Sequence, residues 1–442
     1  MKPKLKEALE SARETRALLI GQHILDQVPA LFRETFPGKP ARVVADATTW
    51  KVAGEEVQRQ LEHAGMECIT PFVFPEAQPY AGYGNVEKLE EALRADQAIP
   101  VVVGSGTLND LTKLASFLTN RPYMCVATAA SMDGYTAFGA SITYQGAKQT
   151  FSCPAPTAVI ADIEIIKKAP PAMTASGYAD LFAKIVAGAD WILADALGIE
   201  PIEPKAWSIV QDGLKEALAD PVGAKQGAES AITSLMEGLI LGGFAMQWTR
   251  TSRVASGAEH MISHLWNMEH HTHHGETPSH GFQVGVATLA ITRLYETMLQ
   301  TPLENLDVDS CCRQWPEWPE WEEKIRQMFP DRDFLGIALS QSRDKYVTHG
   351  ELALQLEKLK ILWPGLATRL KGQLLPSQEV KERLVAVGAP AEPEEIGITR
   401  ERMRDTIIGA GTIRSRYTVL DLAVQTGYLE QWLDEMYIPK RE

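Results

Sequence analysis

The pattern of apolar and polar positions changes character once along the chain. Over the first ~165 residues, short apolar runs alternate with helical stretches. "ARVVADA" (41–47) reads as a strand, "KVAGEEVQRQLEHAG" (51–65) as a helix and "MECITPFVF" (66–74) as the next strand. "VEKLEEALRA" (86–95) is helical, and "AIPVVVGSG" (98–106) is a buried strand ending in a glycine turn. A helix is expected over "NDLTKLASFLT" (109–119) and a strand over "PYMCVAT" (122–128). "ASITYQGAKQTFSC" (140–153) suggests a hairpin turning at Gln145-Gly146, followed by one more apolar run, "TAVIAD" (157–162). The opening segment, "MKPKLKEALESARETRALLIGQHIL", is charged and helical in pattern. Such strand–helix alternation predicts a parallel sheet covered by helices.

After "KKAPPAM" (167–173) the period becomes three to four residues, with few β-branched runs. "SGYADLFAKIVAGADWILADAL", "AITSLMEGLILGGFAMQW" and "RYTVLDLAVQTGYLEQWLDEMY" all show it. The expected organisation is therefore an α/β domain over 1–169 and an all-helical domain over 170–442. The pair Pro170-Pro171 suits the junction, because neither ring fits a helix interior. "WPEWPEWEE" (315–323) reads as a packed loop leading into a helix.

A chain of 442 residues with 45% hydrophobic and 23% charged content is ordinary for a globular protein with ample core. The formal net charge of −14 argues against nucleic acid or an anionic membrane as the main partner. No apolar stretch approaches the roughly 18 residues of a membrane span, and the N-terminus lacks a signal-peptide pattern. The five cysteines, at 68, 125, 153, 311 and 312, show no C-x-x-C spacing and fit reduced thiols. The expectation is a cytoplasmic protein without a membrane partner.

Three short segments suggest chemistry. In "VVVGSGTLNDLTK" (101–113) a strand meets a helix through Gly104 and Gly106. A helix start there presents unpaired N–H groups to a phosphate, but the full dinucleotide fingerprint is missing, so a tight structural turn is an equal reading. Asp110 is either a pin for this loop or an ordinary carboxylate of a first helical turn. Asp46, at the end of a strand, could accept bonds from an adenosine ribose or simply cap a turn. "ATAASMDGYTAFGAS" (127–141) is small and polar, with Asp133 as its only charged group. It leaves room for a ligand at the carboxyl end of a sheet, or is a turn before Gly134.

Histidine is the densest signal. "HHTHHGETPSHGFQVGVATL" (270–289) holds five of the ten histidines, and "SGAEHMISHLW" adds His260 and His264. Four residues apart, His260 and His264 share one face of a helix. Asp180 interrupts a small, apolar helix face and would be costly to bury unless paired or metal-bound. An Asp plus two His metal site competes with a solvated histidine loop, the latter favoured for His270, His271, His273 and His274.

Taken together, "GSGTLNDLTK", "ATAASMDGYTA", "ADIEIIKKAP", "GYADLFAKIVAGADW", "SGAEHMISHLW", "HGFQVGVATL" and "IRSRYTVLDLA" resemble, in order, the glycerol-1-phosphate dehydrogenases. These form a branch of the superfamily of iron-type alcohol dehydrogenases, glycerol dehydrogenase and dehydroquinate synthase. The resemblance implies a dehydroquinate synthase-like fold, with an α/β Rossmann-like N-terminal domain and an all-α C-terminal domain. It also implies NAD(H) or NADP(H) as cofactor and one divalent metal ion, zinc or nickel. By position, Gly104, Ser105, Gly106, Thr107 and Leu108 form the pyrophosphate turn. Thr128, Ala129, Ala130, Ser131 and Ala137 line the cofactor, and Asp46 meets its adenosine end. Asp180, His260 and His280 match the metal ligands. Asp133 and His264 match substrate-contacting residues, and Asp180, His264 and Asp133 make up the catalytic set.

Some positions depart from the family pattern. Ala137 replaces a hydroxyl residue, and Phe282 stands where a glutamate usually follows the last ligand. His274, followed by Gly275-Glu276, competes with His280 as third ligand. The implied reaction is reversible reduction of dihydroxyacetone phosphate to sn-glycerol 1-phosphate, with the proton supplied by a water or His264. The substrate is thus a small phosphorylated triose or polyol, and a homo-oligomer, dimer or larger, is expected. Lys148 is offered as a phosphate contact. The rivals are a dehydrogenase of an unphosphorylated polyol such as glycerol, and a non-catalytic nucleotide-binding descendant.

Overall fold

The computed structural model of the chain describes residues 2–437 except 78, 146 and 331; the side chains of 147 and 148 also lie outside the described residues. Eight strands are present among them: β1 (Ala17–Gly21), β2 (Ala41–Asp46), β3 (Phe72–Phe74), β4 (Ile99–Gly104), β5 (Met124–Ala127), β6 (Ala140–Tyr144), β7 (Ala147–Phe151) and β8 (Ala158–Asp162). Six form one sheet in the order β1-β8-β5-β4-β2-β3, and every neighbouring pair is parallel. Both faces are covered, so every residue of β4, β5 and β8 is buried. That is why these strands read as continuous apolar runs. Because all six run the same way, the sheet presents the ends of β2, β4, β5 and β8 along one edge. Asp46, Gly104, Ala127 and Asp162 stand there, the edge at which open α/β sheets bind ligands.

The expected hairpin is the antiparallel pair β6–β7; its turn residue Gly146 lies outside the described residues. Three other expectations change. The opening segment is helical only over Pro3–Ser11, and Ala17–Gly21 forms an edge strand on β8. Its few apolar residues could not reveal a partner so far downstream. The strand expected over 66–74 is confined to Phe72–Phe74, which pairs with Val44–Asp46; Cys68 makes only an isolated bridge to Ala41. The helix expected from 51 begins as a π-type turn over Trp50–Gly54 and becomes regular over Glu55–His63.

Beyond Asp162 the described residues are helical, with long helices at Lys184–Leu197, Glu229–Thr249, Ala258–Met268, His280–Gln300 and His349–Gln373. Pro171 opens helix Pro171–Phe182, a position where its missing N–H costs little. "WPEWPEWEE" leads into helix Trp318–Met328. The chain forms two compact units, one of residues 1–181, 205–252 and 386–388, the other of 182–204, 253–385 and 389–442. All five cysteines are free thiols. Among the described residues, no helix is long and apolar enough to cross a membrane.

One ion pair in the second unit gives a pH-dependent expectation. Arg293 grips Glu392 with two bonds, of 3.0 and 2.8 Å, and Lys381 adds a third at 2.7 Å. The Arg293 bonds, aided by Lys381, hold the Glu392 carboxyl down at about 2, below its usual 4.5. A lowered folded-state value stabilises the fold above the unfolded value and loses that contribution as pH falls through the folded one. Glu392→Gln should cost roughly 1–3 kcal/mol at neutral pH. The difference from wild type should shrink between pH 4.5 and about 2. Urea midpoints of both proteins across this window check it; a constant gap would contradict the linkage.

Candidate active site

The turn after β4 is held by its own chain. A Cβ on Gly104 would lie 2.4 Å from the Leu108 side chain, and one on Gly106 would lie 2.6 Å from Met132. Packing therefore requires Gly104, whose Cβ would also lie 2.8 Å from Leu108 Cβ, whereas the flexible Met132 tip could yield to a Cβ at Gly106. Helix Gly106–Leu118 follows, and Ser105 at its N-cap makes no side-chain capping bond. Its first N–H groups are thereby left for an anion or water. Thr107 is half-buried and Leu108 is buried beneath the turn. Asp46 ends β2, and its Oδ1 accepts from the N–H groups of Thr48 and Thr49 at 2.9 and 2.6 Å. The capping reading of Asp46 is thus realised; its Oδ2 has no hydrogen-bond partner among the described residues.

The segment after β5 is fixed from several sides. Thr128 N–H donates to the Gly104 carbonyl at 3.1 Å, and the Tyr135 hydroxyl donates to that of Ala129 at 2.6 Å. Gly177, on helix Pro171–Phe182, lies so close that a Cβ would sit 1.9 Å from the Ala130 carbonyl oxygen. Ser176 donates to the carbonyl of Ser131 at 3.3 Å. One turn later on that helix, the fully buried Asp180 accepts from the Asp133 backbone N–H at 3.0 Å. Lys113 is buried and bonds the carbonyls of Gly134, Ala137 and Gly139 at 2.9–3.0 Å. Asp110 pins the same stretch through the Ser141 N–H at 3.1 Å. Ala137 is buried there and takes part through its backbone.

Asp180, His260 and His280 each offer one ligand atom, and the three atoms lie within 4.8 Å of one another. Asp180 and His260 are buried and His280 is half-buried. His260 stands in the first turn of helix Ala258–Met268, and His280 opens helix His280–Gln300. Their rings are 5.2 Å apart. Ser263 donates to Gln283 at 3.2 Å, which ties the two helices together just beyond the imidazoles. His264, one turn after His260, is half-buried with its ring 6.4 Å from that of His260. One carboxylate and two imidazoles form a donor set that suits zinc or nickel and falls short of a closed shell.

His274 is not in that set: His273 and Glu276 pair across a tight turn around it. His271 is no solvated bystander either. It is buried, its Nε2 lies 2.7 Å from the Ile396 carbonyl and its Nδ1 meets Arg402 at 2.9 Å. Burial, foremost, lowers its pKa.

Two buried carboxylates behind His260 escaped the sequence reading. Glu259 Oε1 lies 2.7 Å from His260 Nδ1 and accepts from the Gly257 N–H at 2.8 Å. Asp190 accepts from Ala258 N–H at 2.7 Å, from the Tyr295 hydroxyl at 2.6 Å and from Val419 N–H at 2.9 Å. Burial pushes Glu259 up to about 7 and, with the Glu259 charge nearby, Asp190 up to about 6. Both crowd Gly257: a Cβ there would lie 2.4 Å from Asp190 and 2.9 Å from Glu259. The only cue in the sequence was a glutamate beside the first histidine of "SGAEH", and charged residues beside histidines are too common to single it out. Phe282 supplies no carboxylate, and Glu259 furnishes one from the other ligand helix. The side chain of Lys148 lies outside the described residues.

A family model described as iron-containing alcohol dehydrogenase matches residues 19–170. A glycerol-1-phosphate dehydrogenase [NAD(P)+] from Halalkalibacterium halodurans is 32% identical over 295 residues, covering 66% of this chain and 73% of that protein. The chain belongs to the glycerol-1-phosphate dehydrogenase family. A family member from Pyrococcus abyssi is 32% identical over 284 residues, covering 63% of this chain and 78% of its own. Among solved structures, the glycerol dehydrogenase of Schizosaccharomyces pombe matches with a TM-score of 0.59 at 15% identity. That match covers 97% of this chain and 93% of that one. At such identity it speaks for the fold alone, a Rossmann-like sheet domain followed by helices, which this glycerol-1-phosphate dehydrogenase family member shares.

Proposed function

We propose that the protein is a metal-dependent NAD(P)H oxidoreductase that reversibly reduces dihydroxyacetone phosphate to sn-glycerol 1-phosphate. One observation carries the reading: a buried carboxylate and two imidazoles converge in a family whose curated members are named for this reaction. Asp180, His260 and His280 would hold the cation. A divalent ion bound there would supply Lewis-acid polarisation of the substrate carbonyl. His264 and Asp133 are the proposed substrate contacts, with His264 exchanging the proton.

For the nucleotide, the uncapped helix start after Ser105 would take the pyrophosphate, flanked by Gly104, Gly106, Thr107 and Leu108. Thr128 to Ser131 and Ala137 would line the cofactor, and Asp46 would meet the adenosine end through Oδ2. We retain residues 1–169 as the nucleotide-binding domain and 170–442 as the metal- and substrate-binding domain. The proposal extends to a cytoplasmic homo-oligomer.

Following NADH and NADPH absorbance with dihydroxyacetone phosphate and with dihydroxyacetone, in zinc- and nickel-loaded protein, tests the proposal. A strong preference for the phosphorylated ketone is expected. Preference for the unphosphorylated one would move the chain to the polyol dehydrogenases, and turnover of neither would favour a non-catalytic nucleotide binder.

A further inference from the structure

We infer that Glu259 is a positioning residue for the metal centre, fixing which nitrogen of His260 faces the ion. The inference rests on the metal-binding reading above. His260 has two ring nitrogens, and only the one without a proton can bind a cation. Nδ1 stands 2.7 Å from Glu259 Oε1. Once ionised, the carboxylate only accepts, so at pH 8 the ring proton sits on Nδ1 and Nε2 is left as the ligand atom.

The carboxylate is itself held in place. Oε1 also accepts from the Gly257 N–H at 2.8 Å, and the side chain is fully buried. The bare α-carbon of Gly257 leaves room for both Glu259 and Asp190 beside it. Both acids sit at the start of helix Ala258–Met268, where the helix dipole favours negative charge. Among the described residues, Glu259 Oε2 has no hydrogen-bond partner. A buried acid left half-satisfied costs stability. Bonded to a ligand histidine, such an acid serves the centre rather than the fold.

Asp190 provides the contrast. Its three bonds go to the ligand helix, to Tyr295 on the helix that carries His280, and to Val419. It holds the scaffold and touches neither imidazole by any bond seen among the described residues.

The test uses chelator-stripped full-length protein titrated with Zn²⁺ against a chromophoric competitor, with Co²⁺ absorption as a second readout. Glu259→Gln should weaken metal affinity by about 10–100-fold and change the Co²⁺ spectrum, while NAD(P)H affinity stays near wild type. Asp190→Asn should lower the melting temperature with a near-normal Co²⁺ spectrum in the folded protein. Equal Zn²⁺ affinity in wild type and Glu259→Gln would overturn the inference. So would a metal-free wild type whose His260, in ¹⁵N-histidine-labelled protein at pH 8, carries its proton on Nε2. That second measurement decides even if the variant does not fold. A wild type that binds no metal would instead defeat the underlying metal reading, whatever the tautomer.

Discussion

His260→Ala should lower turnover of dihydroxyacetone phosphate by about 10³-fold, since Lewis-acid stabilisation is worth several kcal/mol and each 1.36 kcal/mol is a factor of ten. The ring contributes one of three ligand atoms gathered within 4.8 Å. Losing it leaves two donors, Asp180 and His280. His280→Ala and Asp180→Asn should behave alike. His264→Ala should differ in kind, keeping stoichiometric metal while losing turnover. Elemental analysis of purified protein beside steady-state kinetics separates the cases. Wild-type turnover in His260→Ala after chelator treatment would remove the metal from the mechanism.

Gly177→Ala should be the most disruptive single methyl in the first unit. The added carbon would sit 1.9 Å from the Ala130 carbonyl oxygen and 2.7 Å from its carbon, both backbone atoms. Flexible side chains can yield to such a contact; two backbone segments cannot without moving apart. Overpacking of this kind costs about 1–3 kcal/mol, and the upper end is expected here. The displaced elements are helix Pro171–Phe182, which carries Asp180, and the segment from Thr128 to Ser131. The melting temperature and NAD(P)H affinity should therefore fall together. Unchanged values of both would mean that the helix can shift freely.

The sheet was legible where strands are buried on both faces, as in β4, β5 and β8, because short, unbroken apolar runs between turn residues suit a strand covered from both sides. It was not legible at β1 and β3, whose strand character comes from distant partners rather than from their own short patterns. In the helical part, the three- to four-residue period sufficed. At the site, Asp180 and His260 stood out from their own helix faces, and His280 came from family order. Spacing alone left His274 as open a choice as His280. Glu259, Asp190 and Lys113 were missed for one reason. Each is a charged residue inside an element that reads as ordinary surface helix, and only folding shows that its partners are buried backbone groups or a ligand ring.

The position of β1 has a consequence for production of the protein. Among the described residues, this first strand pairs only with β8, so it must wait until Asp162 has been made before it can dock. Until it does, β8 offers an unsatisfied ladder to any passing polypeptide. Trimming the amino terminus past Ala17, or fusing a bulky tag there, would leave that ladder open for good. Insoluble aggregates, rather than a merely weaker enzyme, are the outcome to expect.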